Sequence, residues 1–328
     1  MCGIIGYVGP KDGSSIVIEG LKKLEYRGYD SWGIAVKGSS LAVQKQVGKI
    51  SDFDALDSLP KGSVAVGHTR WATNGSVTQA NAHPHTCCKG TVAVVHNGII
   101  ENFQELKQEL AHHSFSSETD TEIIAHLVEE NMEAGMGFET AVKNALTRLE
   151  GRFAVVAVSE GSKKVIAARK GSPLVLGIGE NEYFVASDIP AFLEHTRNVV
   201  FLEDGDVATI SDGVSYSDFY GGKLTREPVE ISWSVEQASL EGHEHYMIKE
   251  ILEQRSTVGL AVSQDDAKIL KVAKMINDAH GTFFIGCGTA GKVGMVGSYI
   301  FSTVAKKHVN DVVGSEFPNY HDFLTPET

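Results

Sequence analysis

Apolar positions change their spacing along the chain, and the spacing predicts the elements. Short β-rich runs come first, at residues 4–8, 33–36, 41–47, 64–67 and 92–95. Within the first gap Val17, Leu21 and Leu24, spaced by four and three, occupy one face of a helix. Further helices are predicted over 104–112, from Thr119 onward, and around Val142, Ala145, Leu146 and Leu149. Thr119-Asp120-Thr121-Glu122 fits a capping box, and Ile123, Ile124, Leu127 and Val128 supply the apolar stripe behind it. Strands return at 153–158, 165–168, 174–178, 183–186 and 199–202. Helices grouped between two sets of strands predict a layered α+β fold rather than a wound βαβ sheet.

Near residue 234 the composition turns polar and acidic, which sets a domain over 1–234, a linker over 235–246 and a second domain over 247–328. The second begins with helices over 245–255 and 267–279. An apolar strand at 283–286 then runs into Cys287-Gly288-Thr289-Ala290-Gly291-Lys292, a helix to 307 and a strand at 309–313. That is one βαβ unit. A parallel sheet needs several strands covered on both faces, so this domain reads as incomplete.

Composition narrows the function. A formal net charge of -13, with no Lys/Arg cluster, speaks against nucleic acid as a partner. The apolar N-terminal segment is short and lacks a basic flank, so it is not a signal peptide, and no stretch reaches the ~18 apolar residues of a membrane span. Cys2, Cys87, Cys88 and Cys287 do not pair into a disulfide framework, which fits a reducing cytoplasm. Alternation puts His83, His85 and Cys87 on one side of an extended segment beside Cys88, as a metal site would. Zinc sites, however, draw ligand pairs from two separated loops, so no metal is expected, and no cofactor either.

Cys2 matters chemically once Met1 is removed. Its α-amine, with an ordinary pKa of ~7.7–8.0, then sits on the same residue as the thiol and serves as general base for it. Thiolate attack on an amide creates an oxyanion, for which Asn97 offers a side-chain amide and Gly98 a backbone N–H. Asn97-Gly98 equally reads as a hairpin turn, a conformation that exposes such an N–H. Six motifs occur in order: Met1-Cys2-Gly3-Ile4; Leu24 to Ser31 (LEYRGYDS); Gly67 to Thr73 (GHTRWAT); Asn81-Ala82-His83-Pro84-His85; His96 to Asn102 (HNGIIEN); and Ser117 to Glu122 (SETDTE).

This series resembles the class II glutamine amidotransferases, which are N-terminal-nucleophile hydrolases. Among them it is most similar to the branch that feeds fructose 6-phosphate amination. The resemblance covers nearly all of 1–234 and implies a four-layer αββα sandwich of two antiparallel sheets. It implies Cys2 as nucleophile and Asn97 and Gly98 as oxyanion donors. Glutamine would be held by Arg70 at its α-carboxylate and Asp120 at its α-ammonium, within a lid carrying Trp71 and Thr73. His83 and Arg27 match positions near the nucleophile and take supporting roles. Asn74 stands where many members have histidine, so only its backbone contacts carry over.

The second domain resembles the start of a sugar-isomerase domain. Thr289 would lie in its first phosphosugar loop, and Ala290 replaces a phosphate-binding serine. The full-length family form is expected to be a homodimer. Two other readings stand beside this one: the glutaminase half of another class II amidotransferase, and a regulatory module that keeps the fold without turnover.

Overall fold

The computed structural model of the chain describes residues 2–232, 242–243 and 245–328. Most of the expected 235–246 linker, and Met1, therefore lie outside the described residues. The chain divides into two compact units, Met1–Ser239 and Leu240–Thr328.

In the first unit β1 (Gly3–Val8), α1 (Gly13–Lys23), β2 (Ser31–Lys37), β3 (Leu41–Val47) and β4 (Val64–Arg70) are followed by β5 (His85–Thr86) and β6 (Val92–Ile100). Then come α2 (Phe103–Glu109), α3 (Glu122–Glu133) and α4 (Phe138–Thr147). Next are β7 (Gly151–Ser159), β8 (Val165–Lys170), β9 (Val175–Ile178), β10 (Tyr183–Ala186) and β11 (Asn198–Phe201). The last are β12 (Val207–Ile210), β13 (Val214–Ser217), β14 (Lys223–Leu224) and β15 (Val229–Glu230). Among the described residues one sheet has the order β15-β11-β9-β10-β1-β4-β2-β3, and the other β14-β13-β12-β8-β7-β6-β5. Neighbouring strands run antiparallel, as between β1 and β4 or β6 and β7.

Side chains alternate across each strand, and this sorts them into layers. Ile4, Val64 and Val66 of the first sheet meet Ala93, Val95, Ala154 and Val156 of the second. Ile5 and Tyr7 point the other way, onto Val17, Ile18 and Leu21 of α1. On the far side of the second sheet Val92, Val94, Phe153 and Val155 pack with Ile123, Leu127, Val142 and Leu146 of α3 and α4. The order is helix, sheet, sheet, helix: the α+β sandwich expected from the resemblance.

Two local expectations fail. Asn97-Gly98 is not a hairpin turn. β6 stays in register with β7 from Val92↔Ser159 to Ile100↔Gly151, so the pair lies inside a strand. Gly98 has φ +139°, and a Cβ there would come within 1.9 Å of the Arg152 carbonyl oxygen, so the position needs glycine. The capping box is not formed either. The Thr119 hydroxyl meets His85 Nε2 at 3.0 Å, and α3 starts at Glu122 with no side-chain cap from Thr121. Glu122 reaches further back, accepting the N–H groups of Ser116 and Ser117 at 2.7 Å each.

In the second unit α5 (Tyr246–Val262) and α6 (Asp266–Asp278) precede β16 (Phe283–Gly286), α7 (Gly288–Ile300) and β17 (Asn310–Val313). β16 and β17 pair in parallel around α7. Asp265 caps α6 by accepting the Ala267 N–H at 2.9 Å. Among the described residues no helix is long and apolar enough to cross a membrane.

Candidate active site

Strand parity assembles the site at one edge of the inter-sheet layer. Cys2 shares a face with Ile4, His68 and Arg70 continue the face of Val66, and Asn97 continues that of Val95. Cys2 Sγ accepts the Trp71 N–H at 3.2 Å and lies 3.5 Å from the Trp71 carbonyl oxygen. Burial pushes the thiol above its ordinary pKa, against the opposing pull of the Trp71 backbone contact. Burial thus favours the thiol over the thiolate at Cys2.

The Cys2 carbonyl is fixed by two donors, Asn97 Nδ2 at 2.9 Å and Arg27 Nε at 3.2 Å. Arg27 is itself tied to Asp188 at 2.9 Å. Behind Asn97 stands His68, whose Nε2 faces the His96 carbonyl at 3.1 Å and Asn97 Oδ1 at 3.0 Å. Two acceptors there require the Nε2–H tautomer, which sets the amide with its nitrogen toward Cys2. Complete burial pushes His68 down to about 3, so the ring is neutral. An Asn amide has two N–H groups, and only one is needed for the Cys2 carbonyl.

Arg70 ends β4 and turns its guanidinium into the following loop. It donates to the carbonyls of Asn74, Gly75 at 3.1 Å and Ser76 at 3.0 Å. Burial pushes Arg70 down, opposed by the nearby Cys2, Asp30, Asp120 and Glu118. The loop has two further anchors. Asp30 accepts the Ala72 N–H at 2.8 Å, and Glu118 accepts the Ser76 N–H at 3.0 Å and Asn81 Nδ2 at 2.8 Å. These bonds hold the Glu118 carboxyl down at about 2. Thr73 and Trp71 are exposed on the loop, Trp71 edge-on to Tyr29 at 5.3 Å. Asn74 contributes its carbonyl. Asp120 is buried and accepts the Ile100 N–H at 2.8 Å through Oδ2.

His83 takes a different place. Its Nδ1 accepts the His96 N–H at 3.3 Å, its Nε2 lies 3.5 Å from the Thr121 hydroxyl, and its ring stacks on His68 at 4.1 Å. Burial pushes His83 and His85 well down, so both rings are neutral. His83, His85, Cys87 and Cys88 do not converge on one another: Cys87 meets Thr91, whereas Cys88 faces His113 and His126. Thr289 lies exposed in the first turn of α7, in the second unit. His68, Asp30, Glu118 and Asn81 were not singled out in the sequence. For His68 the available signal is its place two residues before Arg70 on the same strand face.

The model of a glutamine amidotransferase domain matches residues 68–194. Along almost its whole length the chain is similar to curated glutamine–fructose-6-phosphate aminotransferases. That of Pyrococcus horikoshii is 45% identical over 99% of this chain and 56% of the relative. That of Methanothermobacter thermautotrophicus is 43% identical over 97% and 55%. Residues 68–194 thus match a glutamine amidotransferase domain, and the similarity to the aminotransferases extends over the rest of the chain. The chain spans about half the length of the curated relatives it matches. Among solved structures, the glutamine PRPP amidotransferase of B. subtilis is 30% identical with a TM-score of 0.58, over 66% of this chain and 49% of that one. The matched glutamine amidotransferase stretch contains His68, Arg70, Asn97, Gly98 and Asp120. Cys2 lies outside it and joins through the β1–β4 pairing, where Gly3 sits opposite Thr69.

Proposed function

We propose that the first unit hydrolyses glutamine to glutamate and ammonia, with Cys2 as nucleophile. The observation that carries the reading is the thiol seated on the Trp71 N–H, beside a carbonyl already gripped by the Asn97 amide. Sulfur attacks the side-chain carbonyl carbon of glutamine while the α-amine of Cys2, free once Met1 is removed, takes the thiol proton. Asn97 Nδ2–H and the Gly98 N–H hold the oxyanion. The C–N bond then breaks, the proton passes to nitrogen, and ammonia leaves a glutamyl thioester for water to cleave. Arg70 pairs with the α-carboxylate of glutamine and Asp120 with its α-ammonium.

The relatives' name extends the proposal to the whole protein: ammonia is passed to fructose 6-phosphate, giving glucosamine 6-phosphate. The second unit would begin the sugar-isomerase half, with Thr289 at a helix N-terminus suited to a phosphate.

The test is release of ammonia and glutamate from glutamine without any sugar phosphate. Equal amounts of both are expected, and no release overturns the reading. Asn97→Ala is expected to lower kcat by roughly 10²–10³-fold, the usual effect of removing one oxyanion donor. A change confined to KM would take Asn97 out of the transition state. Arg70→Lys keeps the charge but loses the fork, so KM for glutamine is expected to rise roughly 10–100-fold. An unchanged KM would remove Arg70 from carboxylate recognition.

A further inference from the structure

On the outer side of the second sheet, apart from the thiol of Cys2, four side chains from three segments meet. Cys88 comes from the β5–β6 turn, His113 from the connection after α2, and His126 and Glu129 from one face of α3. One ligand atom from each, Cys88 Sγ, a ring nitrogen of each histidine and a Glu129 oxygen, lies within 4.8 Å of the others. Cys88 Sγ is 3.4 Å from His113 Nδ1 and 3.7 Å from His126 Nδ1. Glu129 Oε2 is 3.2 Å from His113 Nδ1 and 3.6 Å from His126 Nδ1. A tetrahedral zinc ion with bonds of ~2.3 Å to sulfur and ~2.0–2.2 Å to nitrogen and oxygen sets such atoms about 3.3–3.6 Å apart.

We propose that Cys88, His113, His126 and Glu129 form a structural zinc site. One thiolate, one carboxylate and two neutral imidazoles balance a divalent charge, so the buried ion carries no net excess. Soft sulfur with two imidazoles selects zinc over calcium or magnesium. At His126 the tautomer favours an ion over a hydrogen-bond cluster. If both Nδ1 atoms carried protons toward Glu129, both Nε2 atoms would be buried acceptors, and neither has a hydrogen-bond partner. With a metal on Nδ1 the proton moves to Nε2, and at His126 it then faces Glu122 Oε1 at 3.6 Å, a carboxylate behind a ligand. Glu129 is held by the N–H groups of Cys88 at 3.0 Å and Lys89 at 2.9 Å, and Cys88 Sγ accepts the Ser114 N–H at 3.4 Å. Cys88 is exposed, which gives the ion an entry path. Binding converts the Cys88 S–H to a thiolate and releases one proton to solvent. The ion would pin the β5–β6 turn and the segment leading to Asp120 onto α3.

The experiment uses the full chain, stripped with chelator and titrated with zinc against a chromophoric competitor, then with cobalt as a spectroscopic probe. About one zinc per chain is expected, with intense tetrahedral cobalt bands and thiolate-to-cobalt charge transfer. Zinc should also slow alkylation of Cys88, read by peptide mass spectrometry. Cys88→Ser is expected to weaken zinc by more than the roughly 10–100-fold that losing an outer partner costs. Cys2→Ser should bind as the parent does. An octahedral cobalt spectrum, no stoichiometric zinc, or unaltered binding in Cys88→Ser overturns the site. Were Cys88→Ser to misfold, the parent's cobalt spectrum and Cys88 protection decide alone. Loss of glutaminase activity plays no part in the readout, so the site stands or falls independently of the proposed reaction.

Discussion

Replacing Cys2 by alanine is expected to lower glutamine hydrolysis by roughly 10⁴–10⁶-fold, the scale on which hydrolases respond to loss of the attacking atom. The fold should barely notice. Cys2 precedes β1, and among the described residues its sulfur hydrogen-bonds to the backbone of Trp71. The contacts that pin the residue run through its main-chain carbonyl to Asn97 and Arg27, which alanine keeps. Glutamine binding should likewise survive, because Arg70 and Asp120 are held by bonds that do not involve the thiol. The measurement is ammonia release under saturating glutamine, with the thermal transition recorded alongside. An alanine variant that retains the parent's rate would mean that another group attacks the amide. One that loses its thermal transition would make the sulfur a structural group.

The sequence carried the layers better than the joints. Helix α1 is legible because Val17 and Leu21 mark one face, and that face packs on Ile5 and Tyr7. The strand predicted over 92–95 runs on to Ile100, because pairing with β7 carries the polar His96-Asn97-Gly98 where hydrophobic pattern gives no signal. The hairpin of β12 and β13 escaped for a similar reason: four-residue strands joined across Ser211–Gly213 leave little periodicity to count. Within the site, the residues proposed to act on glutamine stand in local motifs and could be named. Those that hold them in place could not. His68 acts on Asn97 across two sheets, and Glu118 anchors Ser76 from 42 residues away. The Cys88 cluster spans three segments with one or two of its side chains in each, so no paired spacing announces it.

A few residues placed before Cys2 by a non-removable extension are expected to abolish hydrolysis while leaving the thermal transition almost unchanged. The argument begins from the thiol, which burial keeps protonated at neutral pH, so attack requires a base within reach. Among the described residues the hydrogen-bond partners of Cys2 Sγ are the Trp71 N–H, which donates to it, and the Trp71 carbonyl, which accepts from it, and neither is a base. His83 is the nearby imidazole that sequence order suggests, but its ring is committed to the His96 N–H, the Thr121 hydroxyl and the face of His68. Burial also pushes it well below its ordinary pKa, so it would be a poor base even if it turned. The α-amine of Cys2 is left, and an extension converts that amine to an amide with no basic lone pair. The decisive comparison is glutamine hydrolysis by the chain beginning at Cys2 against the extended chain, with the N-termini of both verified by intact mass. Full activity in the extended form would rule out the terminal amine and return the search to a side-chain base. Activity restored on proteolytic removal of the extension would show that the terminus, and not a folding defect, had been blocked.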